Sequence, residues 1–278
     1  MPELPEVETI RRDLEKTLPG KTILSVDVRD LSVLTGIGPS GKPRRKVSPE
    51  EFKGRVEGKT VAGVARRGKY LILEFADEGA LIFHLRMTGQ ILLNPPAYRE
   101  RLNLTFTDGK TLYFSDRRRF GEVLWTPDWE KEPCIRSLGI EPLNGSLTAL
   151  LLKGFFRKRT APIHSILLNQ KLVSGLGNIY VTEALFQAGI RPSKPCGQIS
   201  RGKLESLVVS IREILLKSVE HRGYSMNTYV DLMGEKGRSQ LFSAAYGKEG
   251  RPCVRCQNVL KRKVLGGRGV VYCSRCQR

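Results

Sequence analysis

The chain has 278 residues and a formal net charge of +19, with 47 lysines and arginines against 28 aspartates and glutamates. Its 40% hydrophobic content is typical of a folded globular protein and excludes a disordered chain. The basic excess indicates a polyanionic partner, and we expect nucleic acid because no strongly basic amphipathic helix is visible for a membrane surface. No signal peptide and no run of roughly 18–20 apolar residues is visible, so we expect a cytoplasmic protein without a membrane partner.

The first predicted element is an amphipathic helix over residues 3–18, in which Val7, Ile10 and Leu14 recur at helical spacing. The opening stretch MPELPEVET also carries a chemical possibility. Pro2 is small enough to permit removal of Met1, which would leave a secondary amine beside the carboxyl group of Glu3, a nucleophile next to an acid. The structural alternative is that proline and glutamate are favoured in the first turn of a helix. Taken alone, the nine residues favour that alternative.

Short β-rich runs follow the helix and are separated by Gly, Pro and Asp-Gly turns. They predict a β-sandwich of about 125 residues with the first helix against it. We assign residues 1–128 to this domain. The runs cover residues 22–29, 60–67, 69–75, 80–86, 102–114 and 121–125.

Residues 129–146 are typical of a linker, and helical patterns dominate after it. We assign 147–250 to a helical domain that ends in a long Gly- and Ser-rich loop, 222–250, of a length that is uncommon unless functional or disordered. A glycine-rich turn, SGLG, stands directly before a helix at 178, which suits an anion site or a simple structural loop. The predicted helices cover residues 146–155, 161–170, 178–189 and 202–221. In the last of them we expect a stripe of core residues at helical spacing, formed by Leu204, Leu207, Val208, Ile211 and Leu215.

The last module, 251–278, contains a C-x2-C-x16-C-x2-C pattern formed by Cys253, Cys256, Cys273 and Cys276. Two such pairs supply the closed tetrahedron of a structural zinc site, so we expect one Zn²⁺; a disulfide framework or a redox pair is the alternative. The module has eight Arg or Lys residues and no acid, and KRKVLGGRGVVY predicts a β-hairpin with a Gly-Gly tip. A zinc-held basic hairpin indicates a nucleic-acid clamp.

These pieces together resemble the formamidopyrimidine-DNA glycosylase family of bacterial base-excision enzymes. The matching stretches are PELPEVET, RRGKYLI, HLRMTGQ, DRRRFG, GLGNIYVTEALF, YVD with its Gly-rich loop, and the four-cysteine finger, in the family's order. The resemblance implies an α+β protein with an N-terminal helix and β-sandwich, a helix–two-turn–helix domain, and a zinc-finger hairpin. It also implies a monomer located with the bacterial nucleoid, acting on double-stranded DNA that contains oxidised bases or abasic sites.

By this resemblance Pro2 is the nucleophile and Glu3 the general acid, while Lys69 serves β-elimination and Arg268 serves δ-elimination. Because a guanidinium hardly deprotonates, a bidentate phosphate clamp is the safer role for Arg268. The resemblance also marks two supporting acids of the pocket, Glu6 and Glu183.

The resemblance further implies a set of DNA contacts and a wedge that fills the gap left by an extruded lesion. This sequence departs from the family at Arg117, where proline is usual, at Arg99, where histidine is usual, and at His164, where lysine is usual. Arg99 keeps a cation, whereas His164 would make its contact pH-dependent. The DNA contacts are Arg99, Arg119, His164 and Asn178, and the wedge comprises Met87, Arg118 and Phe120.

The resulting prediction is a bifunctional glycosylase and abasic-site lyase for oxidised purines such as 8-oxoguanine and formamidopyrimidines. One alternative is an endonuclease VIII-like enzyme for oxidised pyrimidines, although that branch usually opens PEGPE. The other is a zinc-dependent DNA-binding protein without catalysis, which would not need Pro2, Glu3 or Lys69.

Overall fold

The computed structural model describes residues 2–34, 47–96 and 98–278. The chain forms two compact units. The first comprises residues up to Ser137 together with His221–Arg238, and the second comprises Leu138–Glu220 and Ser239–Arg278. Part of the long loop after the last predicted helix therefore packs with the N-terminal unit.

The first unit opens with helix α1, Leu4–Glu15, whose apolar face is buried as the sequence predicts. A second helix, α2 (Pro49–Val56), was not predicted from the sequence; the hydroxyl of Ser48 caps it by accepting a hydrogen bond from the Glu51 N–H at 3.1 Å. Short 3-10 turns follow at Leu31–Leu34 and Trp129–Lys131, and α3 covers Pro133–Arg136.

Eight strands form the body of this unit: β1 Ile23–Val28, β2 Val61–Arg67, β3 Tyr70–Phe75, β4 Ala80–His84, β5 Gly89–Leu92, β6 Glu100–Phe106, β7 Thr111–Asp116 and β8 Glu122–Thr126. They pair in two four-stranded antiparallel sheets, in the orders β1-β6-β7-β5 and β2-β3-β4-β8. Side chains from both sheets, among them Leu71, Leu104 and Phe114, lie with α1 in one buried core, which confirms the predicted sandwich. The Asp108-Gly109 turn joins β6 to β7 as expected, whereas β5 was not predicted.

The second unit is helical and ends in a hairpin. Its longest helix buries Leu204, Leu207, Ile211 and Leu215, which confirms the predicted core stripe. The hairpin turns at Gly266-Gly267, and both glycines have positive φ. The elements are α4 Ala149–Phe156, α5 Ile163–Leu167, α6 Asn178–Gln187, α7 Arg201–Glu220, β9 Lys261–Leu265 and β10 Arg268–Tyr272, with 3-10 turns at Cys196–Gln198 and Ser239–Phe242.

Candidate active site and nucleic-acid interface

The start of the described chain is buried and ordered by hydrogen bonds. Pro2 and Glu3 are both buried, and Glu3 stands at the N-cap of α1. The Glu3 N–H donates to Oε2 of Glu6 at 2.7 Å, the reciprocal arrangement of a capping box. This bond fixes the backbone that carries the proposed nucleophile and acid. Met1, whose removal we expect, lies outside the described residues.

Glu6 also holds the segment 221–238 in the same unit. Its Oε1 accepts a hydrogen bond from the Tyr224 N–H at 2.8 Å, and its backbone carbonyl accepts one from the Tyr229 hydroxyl at 3.4 Å. Gly223 has a φ of +85°, and a Cβ there would lie 3.0 Å from the Glu6 carboxylate, so glycine is needed for this approach. Burial and the Glu6 charge raise the pKa of Tyr229 well above its usual value of 10, so the phenol stays protonated.

Lys69 lies in the tight turn between β2 and β3, where the preceding Gly68 has a positive φ, and only 7% of it is exposed. His84 is electrostatically coupled to it. Burial, with the charges of Arg86 and Lys69, holds the pKa of His84 well below its usual value. Nδ1 of His84 accepts a hydrogen bond from the Arg86 N–H at 3.1 Å, as a neutral ring can. The buried lysine therefore has an uncharged imidazole in its surroundings.

The predicted wedge residues occupy two loops of the first unit. Met87 is 39% exposed and Phe120 is 52% exposed, which is high for large apolar side chains in a unit with a substantial core. The guanidinium of Arg118 lies over the Phe120 ring, with its central carbon 4.8 Å from the ring centroid. The three side chains thus present an apolar and cationic surface to solvent.

The two other predicted DNA contacts of this unit differ in their environment. Arg99 is exposed just before β6. The side chain of Arg119 is 56% exposed but is already engaged, because its Nε and Nη2 donate to the carboxylate of Asp30 at 2.7 and 3.1 Å. Although burial opposes ionisation, the hydrogen bonds from Arg119 and Ser32 hold the pKa of Asp30 well below its usual range. A phosphate at Arg119 would therefore share the guanidinium with Asp30.

In the second unit, hydrogen bonds connect His164 to Asn178 and Asn178 to the hairpin. His164 is completely buried, and its Nε2 lies 2.8 Å from Oδ1 of Asn178. The Asn178 amide then donates to the backbone carbonyl of Gly269 at 2.9 Å, next to the exposed Arg268 at the start of β10. Burial lowers the pKa of His164 from 6.5 and outweighs the hydrogen bond with Asn178. His164 therefore lies below the surface of this unit and contacts the Asn178 side chain.

Glu183, on α6, binds a turn of the long loop. Its carboxylate accepts hydrogen bonds from the Ser243 hydroxyl at 2.7 Å and from the N–H groups of Ala244, Ala245 and Tyr246 at 2.9, 3.0 and 2.6 Å. Four donors on one carboxylate satisfy most of its acceptor capacity. The geometry accordingly gives Glu183 a part in ordering residues 243–246.

The four cysteines of the terminal module converge as their spacing predicts. Their Sγ atoms all lie within 4.8 Å of one another, with separations of 3.9 Å for Cys253–Cys276 and 3.5 Å for Cys256–Cys273. A tetrahedral zinc with bonds of about 2.3 Å has sulfur–sulfur edges of about 3.8 Å, so the donor set fits one Zn²⁺. Cys134 and Cys196 are buried and lie outside the cluster.

Sequence reasoning missed a buried charged group beside the loop that carries Arg118 and Phe120. Arg101 is 0% exposed, and Asp30 and Asp116 are 7% and 1% exposed. The alternation in β6 would have placed Arg101 on the face opposite Leu102 and Leu104, and so in solvent. Of these three residues, only Asp116 could have been singled out from the sequence, because it stands in the DRRRFG stretch that resembles the family.

Three family models match the chain in order. They are the formamidopyrimidine-DNA glycosylase N-terminal domain over residues 1–123, the formamidopyrimidine-DNA glycosylase H2TH domain over 138–230, and a zinc finger found in FPG and IleRS over 250–278. The formamidopyrimidine-DNA glycosylase of Bacillus subtilis is 37% identical, with the alignment covering 100% of this chain and 99% of that protein.

Solved structures of the Lactococcus lactis FPG protein share the fold. A variant bound to DNA containing Fapy-dG is 36% identical with a TM-score of 0.88 over 100% of both chains. The same protein in complex with abasic-site DNA is 36% identical, with a TM-score of 0.87 over 99% of both chains. The wild-type protein in complex with oxidised-pyrimidine DNA is 35% identical, with a TM-score of 0.87 over 100% of both chains.

Among the described residues, no helix is long and apolar enough to cross a bilayer. The order of elements, the zinc-binding cysteine cluster and the full-length similarity lead to one assignment. The chain belongs to the formamidopyrimidine-DNA glycosylase family of DNA repair enzymes.

Proposed function

We propose that this protein is a bifunctional DNA glycosylase and abasic-site lyase that excises oxidised purines through an imine formed at Pro2. The observation that carries the proposal is the buried Pro2-Glu3 pair at the start of α1, with the Glu3 backbone bonded to Glu6. A protein that only binds DNA does not need a secondary amine placed beside a carboxyl group, whereas a covalent mechanism does.

The first step is displacement of the damaged base. An N-terminal amine has a pKa near ~8, so an appreciable neutral fraction of Pro2 is present at neutral pH. The Pro2 nitrogen forms a bond to the deoxyribose C1′, and the bond from C1′ to the base breaks with its electron pair. Glu3 donates one proton and the Pro2 nitrogen gives up the proton it carries after the attack, so that the departing base and the sugar ring oxygen are both protonated as the ring opens to a cationic imine.

The later steps are eliminations from that imine. The cation acidifies the C2′ proton, and its loss expels the 3′ phosphate; a second elimination expels the 5′ phosphate. Lys69 assists the first elimination as a proton donor. Arg268 clamps the phosphate of the extruded nucleotide, since a guanidinium makes two parallel hydrogen bonds to phosphate.

DNA is held through its phosphates by the basic surface, with contacts at Arg99, Arg119 and Asn178. His164 acts on this surface through Asn178. The wedge fills the space vacated by the lesion, and Arg118 faces the orphaned base. Its donors suit the O2 and N3 acceptors of cytosine better than adenine, which also presents an amino donor.

The substrate class is supported by the relatives. The Lactococcus lactis protein was solved with DNA containing Fapy-dG and with abasic-site DNA, which favours oxidised purines and lyase chemistry. The same protein was also solved with oxidised-pyrimidine DNA, so removal of oxidised pyrimidines is the second candidate function. We place the protein in the bacterial cytoplasm as a monomer associated with the nucleoid, because its substrate is chromosomal DNA.

Single-turnover excision on matched duplexes tests the proposal. We expect 8-oxoguanine and a formamidopyrimidine to be removed faster than thymine glycol, and Glu3→Gln to slow base removal. Faster removal of thymine glycol would favour the oxidised-pyrimidine candidate, and binding without strand cleavage would favour a DNA-binding protein.

A further inference from the structure

Two loops carry the wedge, and we call them the wedge loops. Residues 85–88 join β4 to β5 and carry Met87, while residues 117–121 join β7 to β8 and carry Arg118 and Phe120. Each loop contains an arginine in the left-handed region, Arg86 with φ 53° and Arg119 with φ 61°. Non-glycine residues keep such a backbone only where the surroundings fix it.

The carboxylate of Asp116 joins the two loops. Its Oδ1 accepts hydrogen bonds from the Thr88 hydroxyl and, at 3.1 Å, from the Arg118 N–H. Its Oδ2 accepts from the N–H groups of Phe120 and Gly121 at 2.7 and 2.6 Å. The residue after Met87 and the residues around Phe120 are therefore bonded to one buried side chain.

Arg101 extends this arrangement as a fully buried cation. Its Nη1 donates to the Gly121 carbonyl at 2.8 Å and lies 3.7 Å from Oδ2 of Asp116. Its Nη2 donates to the Ser32 hydroxyl at 2.7 Å, and its Nε lies 3.4 Å from Asp30. Asp30 in turn binds Arg119 of the second loop through two hydrogen bonds. The Arg101 guanidinium thus contacts the 117–121 loop directly and lies within 4 Å of the two buried acids that bind this loop, Asp30 and Asp116.

We propose that Arg101 is a positioning residue that fixes, through Asp116 and Asp30, the relative placement of Met87, Arg118 and Phe120 before DNA is bound. This inference rests on the proposed function, because it assumes that these three side chains enter the duplex at the lesion. Ordering the loops in advance removes an entropic cost from the bound state and holds Arg118 where it can discriminate the opposite base.

A purely structural role for Arg101 makes a different prediction. A buried arginine that only compensates two acids would affect stability, and every activity would fall together as the protein unfolds. A positioning residue instead affects the ratio of excision opposite cytosine to excision opposite adenine. An abasic site has no base to extrude, so covalent trapping there depends less on the wedge and reports on the chemical centre.

The test uses Arg101→Lys, which keeps the charge but not the fork of donors, and Thr88→Val, which removes the hydroxyl that links the loops. Leu104→Ala is the matched control, since Leu104 is 1% exposed on the same strand and pairs with Val26 and Leu112, away from both loops. Each variant is compared with wild type for thermal stability, for borohydride trapping on a duplex with a preformed abasic site, and for excision of 8-oxoguanine opposite cytosine and adenine.

We expect Arg101→Lys and Thr88→Val to lower the cytosine-to-adenine ratio by about tenfold, the scale of a small misplacement of a recognition group, with trapping close to wild type. Leu104→Ala should lose stability and keep the ratio. If Arg101→Lys does not fold, Thr88→Val carries the test alone, because its side chain is partly exposed. A wild-type ratio in the folded variants overturns the inference, whereas a wild-type protein that traps no DNA refutes the proposed function and the inference together.

Discussion

The carboxylate of Glu6 accepts a hydrogen bond from the backbone N–H of Glu3 at 2.7 Å, and its other oxygen accepts one from the N–H of Tyr224 at 2.8 Å. Two segments 218 residues apart in the chain therefore meet at one side chain. Because Glu6 bonds the backbone of the residue that follows Pro2, we expect a change in its hydrogen bonds to displace the N-terminal residues.

Glu6→Gln should impair both folding and catalysis. One amide oxygen cannot replace both carboxylate oxygens, and the amide N–H₂ would face backbone donors, so we expect a loss of about 1–3 kcal/mol in the free energy of unfolding. Misplacing the nucleophile should slow covalent trapping between about ten- and a hundredfold. Urea unfolding and single-turnover trapping measure the two effects.

The matched control is Glu15→Ala on the same helix, which removes the carboxylate that accepts a hydrogen bond from the Val64 N–H at 2.7 Å. It should cost stability and leave trapping unchanged. Equal slowing by both substitutions would mean that Glu6 acts only through stability.

Two histidines should make the protein less stable as the pH falls below neutrality. Burial lowers the pKa of both His164 and His84, so below about pH 6.5 the unfolded chain binds protons that the native state does not. The free energy of unfolding should fall with decreasing pH by up to about 1.4 kcal/mol per pH unit for each histidine.

Urea unfolding between pH 7 and 5 measures this dependence in wild type, His164→Gln and His84→Gln. Each substitution should reduce the slope. The acid Glu8 does not contribute in this range. Burial raises its pKa, but hydrogen bonds from Arg11 and Arg66 lower it to about 2, so its contribution to the free energy of unfolding is lost only as the pH falls from 4.5 towards that value. An unchanged slope in both variants would contradict the prediction that these two histidines are neutral in the native protein.

Zinc should hold the terminal hairpin. Elemental analysis should find one zinc per chain, and a strong chelator should abolish hydrogen-exchange protection in β9 and β10, because structural zinc supplies folding free energy. Cys273→Ser should behave like the chelated protein and lose DNA binding. Cys134→Ser is the control, since Cys134 is outside the cluster, and it should keep its zinc. A protected hairpin in zinc-free protein would disprove the metal assignment.

The wedge should matter for excision and not for folding. Met87 and Phe120 are substantially exposed, so replacing either by alanine should change stability by no more than about 0.5 kcal/mol. Excision should slow by about tenfold or more, because the wedge offsets part of the few kcal/mol needed to extrude a base. Arg118→Ala should in addition lose the preference for cytosine over adenine.

Leu31→Ala serves as the control, because Leu31 is 60% exposed in the same unit and has no assigned contact with DNA. Its excision rate should equal that of wild type. Wild-type excision rates for both Met87→Ala and Phe120→Ala would show that these side chains do not act as a wedge.

The parts of the fold that depend on local pattern could be predicted from the sequence. Helical spacing gave α1 and the core stripe of α7, and the Gly-Gly tip and paired cysteines gave the hairpin and its metal cluster. The predicted elements omitted α2, a short helix fixed by its Ser48 cap, and β5, a four-residue strand whose burial depends on its neighbours.

The supporting contacts of the site could not be predicted, because they join distant parts of the chain. The pairing of Glu6 with Tyr224 and the burial of Arg101 between Asp30 and Asp116 have no local signature. Family resemblance placed His164 at a DNA contact, but only the packing of α5 against α6 shows that its ring is buried beside Asn178.

The most direct test of the account is borohydride reduction of the protein on an 8-oxoguanine duplex, followed by peptide mapping of the trapped adduct. We predict that the mature chain begins at Pro2, that the DNA remnant is attached to the Pro2 nitrogen, and that Pro2→Gly severely reduces the adduct. An adduct mapped to Lys69, or undiminished trapping in Pro2→Gly, would contradict the central claim.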